Sequence, residues 1–89
     1  MVLKVVIVED EKHSRETLKT LLEEFCQDVK VIAMASSVPE AVKVLSIFSP
    51  DVVFLDIELQ SVEGFEVLNQ IEHPDFEVIF TTAFEKYAI

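Results

Sequence analysis

Short apolar runs alternate with amphipathic segments along the whole chain, and this alternation restricts the fold more than any other feature. Four runs carry the β-branched and aromatic residues of buried strands: LKVVIV (3–8), VKVIAMA (29–35), DVVFL (51–55) and FEVIFT (76–81). Strands separated by helices favour a parallel sheet with helices on both faces. The runs are nearly continuous in apolar residues, as expected when both faces of a sheet are covered. The sequence therefore predicts an α/β fold built on a doubly wound parallel sheet.

The segments between the runs predict helices. Residues 11–26 place Leu18, Leu21, Leu22 and Phe25 at helical spacing. Ser37 and Glu40 form a capping box with a proline in the first turn, and the helix that it opens ends near Ser49. A third helix is predicted from Ser61, and FEKYAI at the end of the chain is consistent with the start of a fourth.

Composition limits the classes of function. The 89 residues suffice for one small domain, and the net charge of −10 argues against direct binding to a nucleic-acid backbone. A single cysteine, Cys26, excludes an internal disulfide and fits a reducing compartment. No apolar run has the length of a membrane span, and the N-terminus is too short and too acidic for a signal peptide. We therefore expect a cytoplasmic domain that makes no contact with a membrane.

Polar residues follow three of the predicted strands. Glu9 and Asp10 follow the first, Asp56 the third, and Thr81 and Thr82 the fourth. In parallel α/β sheets, sites form beyond the carboxyl ends of the strands, so neighbouring first and third strands bring the three carboxylates together. Carboxylates this close repel one another unless a cation lies between them. Oxygen ligands without cysteine or histidine suit Mg²⁺.

Each of these acidic residues also has a purely structural explanation when it is taken alone. Asp10 is a good helix N-cap, Glu9 could be a solvated loop residue, and Asp56 could bond its own backbone in a turn. The coincidence of all three at strand ends favours a functional site.

Four segments resemble the receiver domains of response regulators. VVIVEDE is similar to the first strand of that family with its acidic pair, and FLDIEL to the strand that carries the phosphorylated aspartate. VEGFEVL is similar to the entry to the third helix, and FTTAFEKYAI to the fourth strand with its Thr-Ala switch. The form of the last segment is typical of transcription regulators that carry a LytTR-type DNA-binding output domain. The resemblance implies a flavodoxin-like fold with strand order 2-1-3-4.

The resemblance also implies a role for each matching residue. Asp56 would accept a phosphoryl group from a sensor histidine kinase, and Thr82 would bond a phosphoryl oxygen and act as the switch. Glu9, Asp10, Asp56 and the backbone carbonyl of Glu58 would hold Mg²⁺. Such a domain is a phosphoacceptor in a two-component phosphorelay and not an enzyme.

Two departures from the family accompany this resemblance. Gln60 lies where the family usually has proline. The chain reaches Ile89 before any segment that matches the fifth strand, its lysine or the fifth helix. We therefore expect residues 1–89 to be a single, partial receiver domain in which the fifth strand and helix are missing. The fourth strand would then be a sheet edge that favours a homodimer or a segment-swapped association through residues 76–89. DNA would be contacted only through an output domain absent from this chain.

Three alternative functions remain open on the sequence. One is a receiver-like interaction module that is never phosphorylated. A haloacid-dehalogenase-type phosphatase would need a second aspartate where the chain has Glu58. A Toprim-type nucleic-acid enzyme would need a glycine after Glu9, and that glycine is absent.

Overall fold

A computed structural model describes residues 1–56 and 75–81 of the chain. In this range the chain forms four strands and two helices. The strands are β1 (Leu3–Val8), β2 (Val29–Ala35), β3 (Val52–Asp56) and β4 (Glu77–Thr81). The helices are α1 (Lys12–Phe25), between β1 and β2, and α2 (Val38–Ile47), between β2 and β3. The predicted strands and the first two predicted helices are confirmed, with bounds that differ by one or two residues. The helices predicted from Ser61 and at the end of the chain lie outside the described residues.

The four strands form one parallel sheet in the order β2-β1-β3-β4. The predicted strand order 2-1-3-4 and the α/β class are therefore confirmed. The connection through α1 moves one way along the sheet, and the connection through α2 moves the other way. Because such crossovers are right-handed, this reversal places the two helices on opposite faces of the sheet.

The core lies around the central strand β1. Val5, Val6, Ile7 and Val8 are all buried, because β1 has strand neighbours on both sides and helices over its faces. Successive side chains of a strand alternate between the faces, so Val6 and Val8 point the same way. They form one apolar cluster with buried residues of three other elements: Ala35, Val38, Ala41, Val53 and Leu55. This packing fixes β1 and β3 side by side, and their ends carry the acidic residues.

Helix α2 begins with the Ser37 cap that the sequence predicts, but the return bond from the Glu40 side chain reaches one residue further back. Ser37 is the N-cap, and its Oγ accepts a hydrogen bond from the backbone N–H of Glu40 at 3.2 Å. The Glu40 carboxylate accepts in return from the N–H of Ser36 at 3.0 Å, one residue before the cap itself. The first bond satisfies a backbone donor that the first turn of a helix leaves unpaired, and the second satisfies the donor of the residue before the cap.

Helix α1 packs on β1 and β2 with only part of its predicted apolar face. Leu18 and Leu22 are half-buried, whereas Leu21 is 48% exposed and Phe25 is 76% exposed. None of the helices in residues 1–56 and 75–81 has the length and apolar character needed to cross a membrane.

Candidate phosphoacceptor site

The acidic residues lie at the carboxyl edge of the sheet, where β1 and β3 end next to each other. Val8 is the register partner of Leu55, so the residues that follow each of them, Glu9 and Asp56, continue at the same level. Asp56 is the last residue of β3, and Glu9 and Asp10 begin the turn that leads from β1 to α1. The parallel pairing of two non-consecutive strands is thus what brings distant carboxylates together.

The three carboxylates form a tight cluster. One oxygen each from Glu9, Asp10 and Asp56 lies within 4.8 Å of the other two. Asp56 is completely buried, Glu9 is 4% exposed, and Asp10 is half-buried. Three acidic groups so close together and so shielded from water are costly to ionise together, unless a cation offsets the charge.

This environment changes the acidity of Glu9. Burial, together with the neighbouring carboxyl groups of Asp10 and Asp56, raises the pKa of its carboxyl from 4.5 to about 7. The backbone N–H of Glu11, which donates to Glu9 Oε2 at 2.8 Å, acts in the opposite direction. Without a cation, the cluster therefore holds a proton on Glu9 over part of the physiological pH range.

The turn that carries Glu9 and Asp10 is held by hydrogen bonds from three sides. The backbone N–H of Glu9 donates to the carbonyl oxygen of Ala35 in the neighbouring segment at 3.0 Å. Glu11 closes the turn as the N-cap of α1, because its carboxylate accepts from the N–H groups of His13 at 3.1 Å and Ser14 at 2.6 Å. These bonds lower the pKa of the Glu11 carboxyl. The guanidinium of Arg15 donates to the carbonyl oxygen of Glu9 at 2.9 Å.

The roles of two residues at this site, Glu11 and Arg15, were not identified from the sequence. The structural explanation for Asp10 was that it caps the helix, but Glu11 is the N-cap, and Asp10 belongs to the acidic cluster. In the sequence Glu11 looks like any solvated acidic residue. The one available signal of its capping role is that Ser14, whose N–H it accepts, lies three residues further on. The contact of Arg15 joins residues six positions apart across a turn, and no periodicity predicts it.

The cluster suits a hard divalent cation. All three side chains offer carboxylate oxygen and none offers nitrogen or sulfur, which matches the preference of Mg²⁺. Two of the three carboxylates are almost completely buried beside each other, an arrangement that a bound cation would stabilise.

The remaining predicted site residues, Glu58 and Thr82, lie outside the described residues. Thr81, the last residue of β4, is the register partner of Asp56.

Comparison with known proteins places this geometry in a family. Residues 5–89 match the response regulator receiver domain. The chain belongs to the response regulator receiver family. The predicted resemblance is thereby confirmed, and with it the receiver fold. A receiver domain is a phosphoacceptor and not an enzyme, so membership also decides against the phosphatase and Toprim alternatives.

Individual relatives agree with this assignment. The chain is 40% identical over 90 residues to the sensory transduction protein LytT of Bacillus cereus, covering 98% of this chain and 36% of that protein. It is 36% identical over 89 residues to the transcriptional regulatory protein BtsR of Escherichia coli K12, with the same two coverages of 98% and 36%. This receiver chain thus spans about a third of the length of these relatives.

A solved structure shows the same architecture. The response regulator domain of Thermotoga maritima CheB is 33% identical to this chain and superimposes with a TM-score of 0.80. The superposition covers 90% of this receiver and 60% of that chain.

Proposed function

We propose that the chain is the phosphoacceptor domain of a two-component response regulator, and that Asp56 takes a phosphoryl group from a sensor histidine kinase. The observation that carries the proposal is the convergence of Glu9, Asp10 and Asp56 within 4.8 Å at the carboxyl edge of the sheet. Asp56 combines complete burial with a position at the end of a rigid strand, so its carboxylate is held in one orientation.

The transfer forms one bond and breaks one bond. A carboxylate oxygen of Asp56 attacks the phosphorus of a phosphohistidine on the kinase, giving an acyl phosphate. The P–N bond to the imidazole breaks as the P–O bond forms, and the imidazole nitrogen keeps the electron pair and takes up a proton from solvent. Small phosphodonors such as acetyl phosphate react in the same way.

Glu9, Asp10, Asp56 and the backbone carbonyl of Glu58 would hold Mg²⁺, which would supply charge neutralisation at the phosphoryl oxygens and alignment of the reactants. The donor set of the three side chains supports this part of the proposal. Phosphoryl transfer requires positioning and charge neutralisation more than covalent assistance, so the chain needs no further nucleophile or base.

Phosphorylation would be communicated through Thr82. We propose that its hydroxyl bonds a phosphoryl oxygen on Asp56 and moves toward it, which changes the surface at the end of β4. The register pairing of Asp56 with Thr81 supports this assignment. The output is a DNA-binding domain outside this chain. The name of BtsR, a transcriptional regulatory protein, supports a role in transcription, and the resemblance of FTTAFEKYAI to LytTR-type regulators supports a DNA-binding output.

The proposed partners follow from the surface and the sheet. The chain would receive the phosphoryl group in the cytoplasm, and its single cysteine, Cys26, agrees with that reducing compartment. Among the described strands, β4 lies at one end of the sheet, and its Ile79 and Phe80 are 47% and 43% exposed. Such an edge favours homodimer formation or segment exchange through residues 76–89. Sedimentation velocity should show concentration-dependent association, and Ile79→Lys should weaken it; a monomer at all concentrations would contradict this part.

Labelling with acetyl phosphate and Mg²⁺ tests the central proposal. Mass spectrometry of the labelled protein should place the phosphoryl group on Asp56, and Asp56→Asn should abolish the label. Asp51→Asn is the matched control, because Asp51 lies just before β3, at the opposite end of the same strand. Asparagine can still accept the bond that the Asp51 carboxylate receives from the N–H of Lys4 at 2.8 Å.

The outcomes separate the remaining alternatives. Labelling that survives Asp56→Asn, or that is lost equally in Asp51→Asn, would refute the assignment of Asp56. A folded protein that binds Mg²⁺ but takes no label from acetyl phosphate or from a kinase would favour the interaction module that is never phosphorylated.

A further inference from the structure

Arg15 connects helix α1 to the turn that carries two of the three clustered carboxylates. Its guanidinium Nη1 donates to the carbonyl oxygen of Glu9 at 2.9 Å, and the side chain is half-buried along this path. Arg15 lies in the first turn of α1, and its backbone N–H donates to the carbonyl oxygen of Glu11 at 3.0 Å. Arg15 therefore holds the turn at two points: its backbone N–H bonds Glu11, and its side chain bonds Glu9.

The position of the accepting oxygen gives this contact its importance. The carbonyl of Glu9 belongs to the same planar peptide unit as the nitrogen and Cα of Asp10. A hydrogen bond that fixes this oxygen also fixes the plane, and with it the direction in which the Asp10 side chain leaves the backbone. The N–H of Glu9 donates separately to Ala35 at 3.0 Å and fixes the preceding peptide unit, so Arg15 restrains the next unit, between Glu9 and Asp10.

We propose that Arg15 is a positioning residue for the Mg²⁺ and phosphoryl site, through its hydrogen bond to the Glu9–Asp10 peptide. The inference rests on the proposed function. Arg15 contacts the backbone of the turn and acts through Asp10. Its planar guanidinium has several N–H donors in fixed directions, which makes it suited to hold a carbonyl oxygen at a set angle. The residues that orient a ligand set commonly change metal affinity about 10- to 100-fold when they are removed.

The test compares three variants in Mg²⁺ titrations by isothermal calorimetry at pH 8. Arg15→Gln should raise the Mg²⁺ Kd about tenfold, at the lower end of the range for residues that orient ligands. Arg15→Lys should fall between this variant and the unchanged protein, because its ammonium can donate to the same oxygen without the planar geometry. Lys19→Gln is the matched control. It removes the same charge from the same helix, where Lys19 pairs with Glu23 at 3.8 Å on the exposed surface, and it should leave Kd unchanged.

Urea unfolding in EDTA separates positioning from a merely structural role. If Arg15→Gln loses stability but keeps the Mg²⁺ Kd of Lys19→Gln, the proposal is overturned. If Arg15→Gln does not fold, Arg15→Lys decides, and a Kd equal to that of the unchanged protein overturns the proposal. A failure of the proposed function looks different, because the unchanged protein would then neither bind Mg²⁺ at the cluster nor take label on Asp56.

Discussion

The protonation of Glu9 gives the most demanding prediction, because it links burial of one carboxyl to the stability of the whole domain. In the metal-free protein the pKa of Glu9 is raised from 4.5 to about 7. Between these two values the folded protein holds a proton that the unfolded chain has released. Unfolding therefore releases a proton in this range, and raising the pH favours the unfolded state. The free energy of unfolding should fall from pH 4.5 to pH 7 and then level off.

The size of the effect follows from the shift. A pKa that rises from 4.5 to about 7 corresponds to about 3 kcal/mol of lost stability once Glu9 is ionised in both states. Glu9→Gln removes the ionisation but keeps an oxygen that can accept the 2.8 Å bond from the N–H of Glu11. The variant should match the unchanged protein near pH 4.5 and exceed its stability by about 3 kcal/mol at pH 8.

Urea unfolding in EDTA, repeated from pH 4.5 to pH 8, measures this difference. Glu23→Gln serves as the control, because Glu23 is an exposed residue of α1 whose carboxylate lies 3.8 Å from the Lys19 ammonium group. Its stability relative to the unchanged protein should not vary with pH over this range. A Glu9→Gln difference that is equally flat from pH 5 to pH 8 would refute the argument that burial in the cluster raises the pKa.

Adding Mg²⁺ should oppose the fall in stability between pH 4.5 and pH 7. A carboxylate must be ionised to bind the cation, so the proton on Glu9 competes with Mg²⁺. With a pKa of about 7, roughly one-tenth of Glu9 is ionised at pH 6 and nearly all of it at pH 8. The apparent Mg²⁺ affinity of the unchanged protein should therefore rise about tenfold from pH 6 to pH 8. Calorimetry that shows the same Kd at both values would contradict this coupling.

Four further changes test other parts of the structure by urea unfolding. Asp56→Asn should stabilise the metal-free protein at pH 8 by roughly 2 kcal/mol, because it removes one of three repelling charges, and it should weaken stabilisation by Mg²⁺. Leu55→Ala should cost roughly 3 kcal/mol, since Leu55 is fully buried in the apolar cluster. Ser37→Ala should cost about 1 kcal/mol by removing the N-cap of α2. Phe25→Ser should change stability by less than about 0.5 kcal/mol, because Phe25 is largely exposed; a loss near that of Leu55→Ala would contradict this placement.

The order of the elements could be predicted because each depends on residues close together in the sequence. The apolar run of β1 and the Ser37–Glu40 cap of α2 are local signals, and both correspond to the structure. The position of Asp56 at the end of β3 is equally local. The resemblance of the sequence to receiver domains supplied the strand order, which local patterns leave undetermined.

Helix α1 shows where local reasoning fails. Its helical spacing predicts one apolar face, yet Leu21 and Phe25 remain exposed. Spacing fixes which side chains share a face of a helix, but the width of that face that becomes buried depends on the strands beneath it. The N-cap of α1 also differs from the local expectation. Asp10 is a good N-cap by residue type, but in the structure Asp10 lies in the acidic cluster and Glu11 caps the helix.

The sequence by itself determined the α/β class, the strands and helices, and the three acidic residues worth examining, because those properties follow from neighbouring residues. Only the tertiary structure decided that Glu9 and Asp56 meet, since this depends on β1 and β3 pairing across 40 or more intervening positions. It also decided that Glu9 is buried deeply enough to hold a proton to about pH 7, and that Arg15 reaches back to the turn. Burial and contacts across a turn arise from packing, and packing is a property of the whole fold.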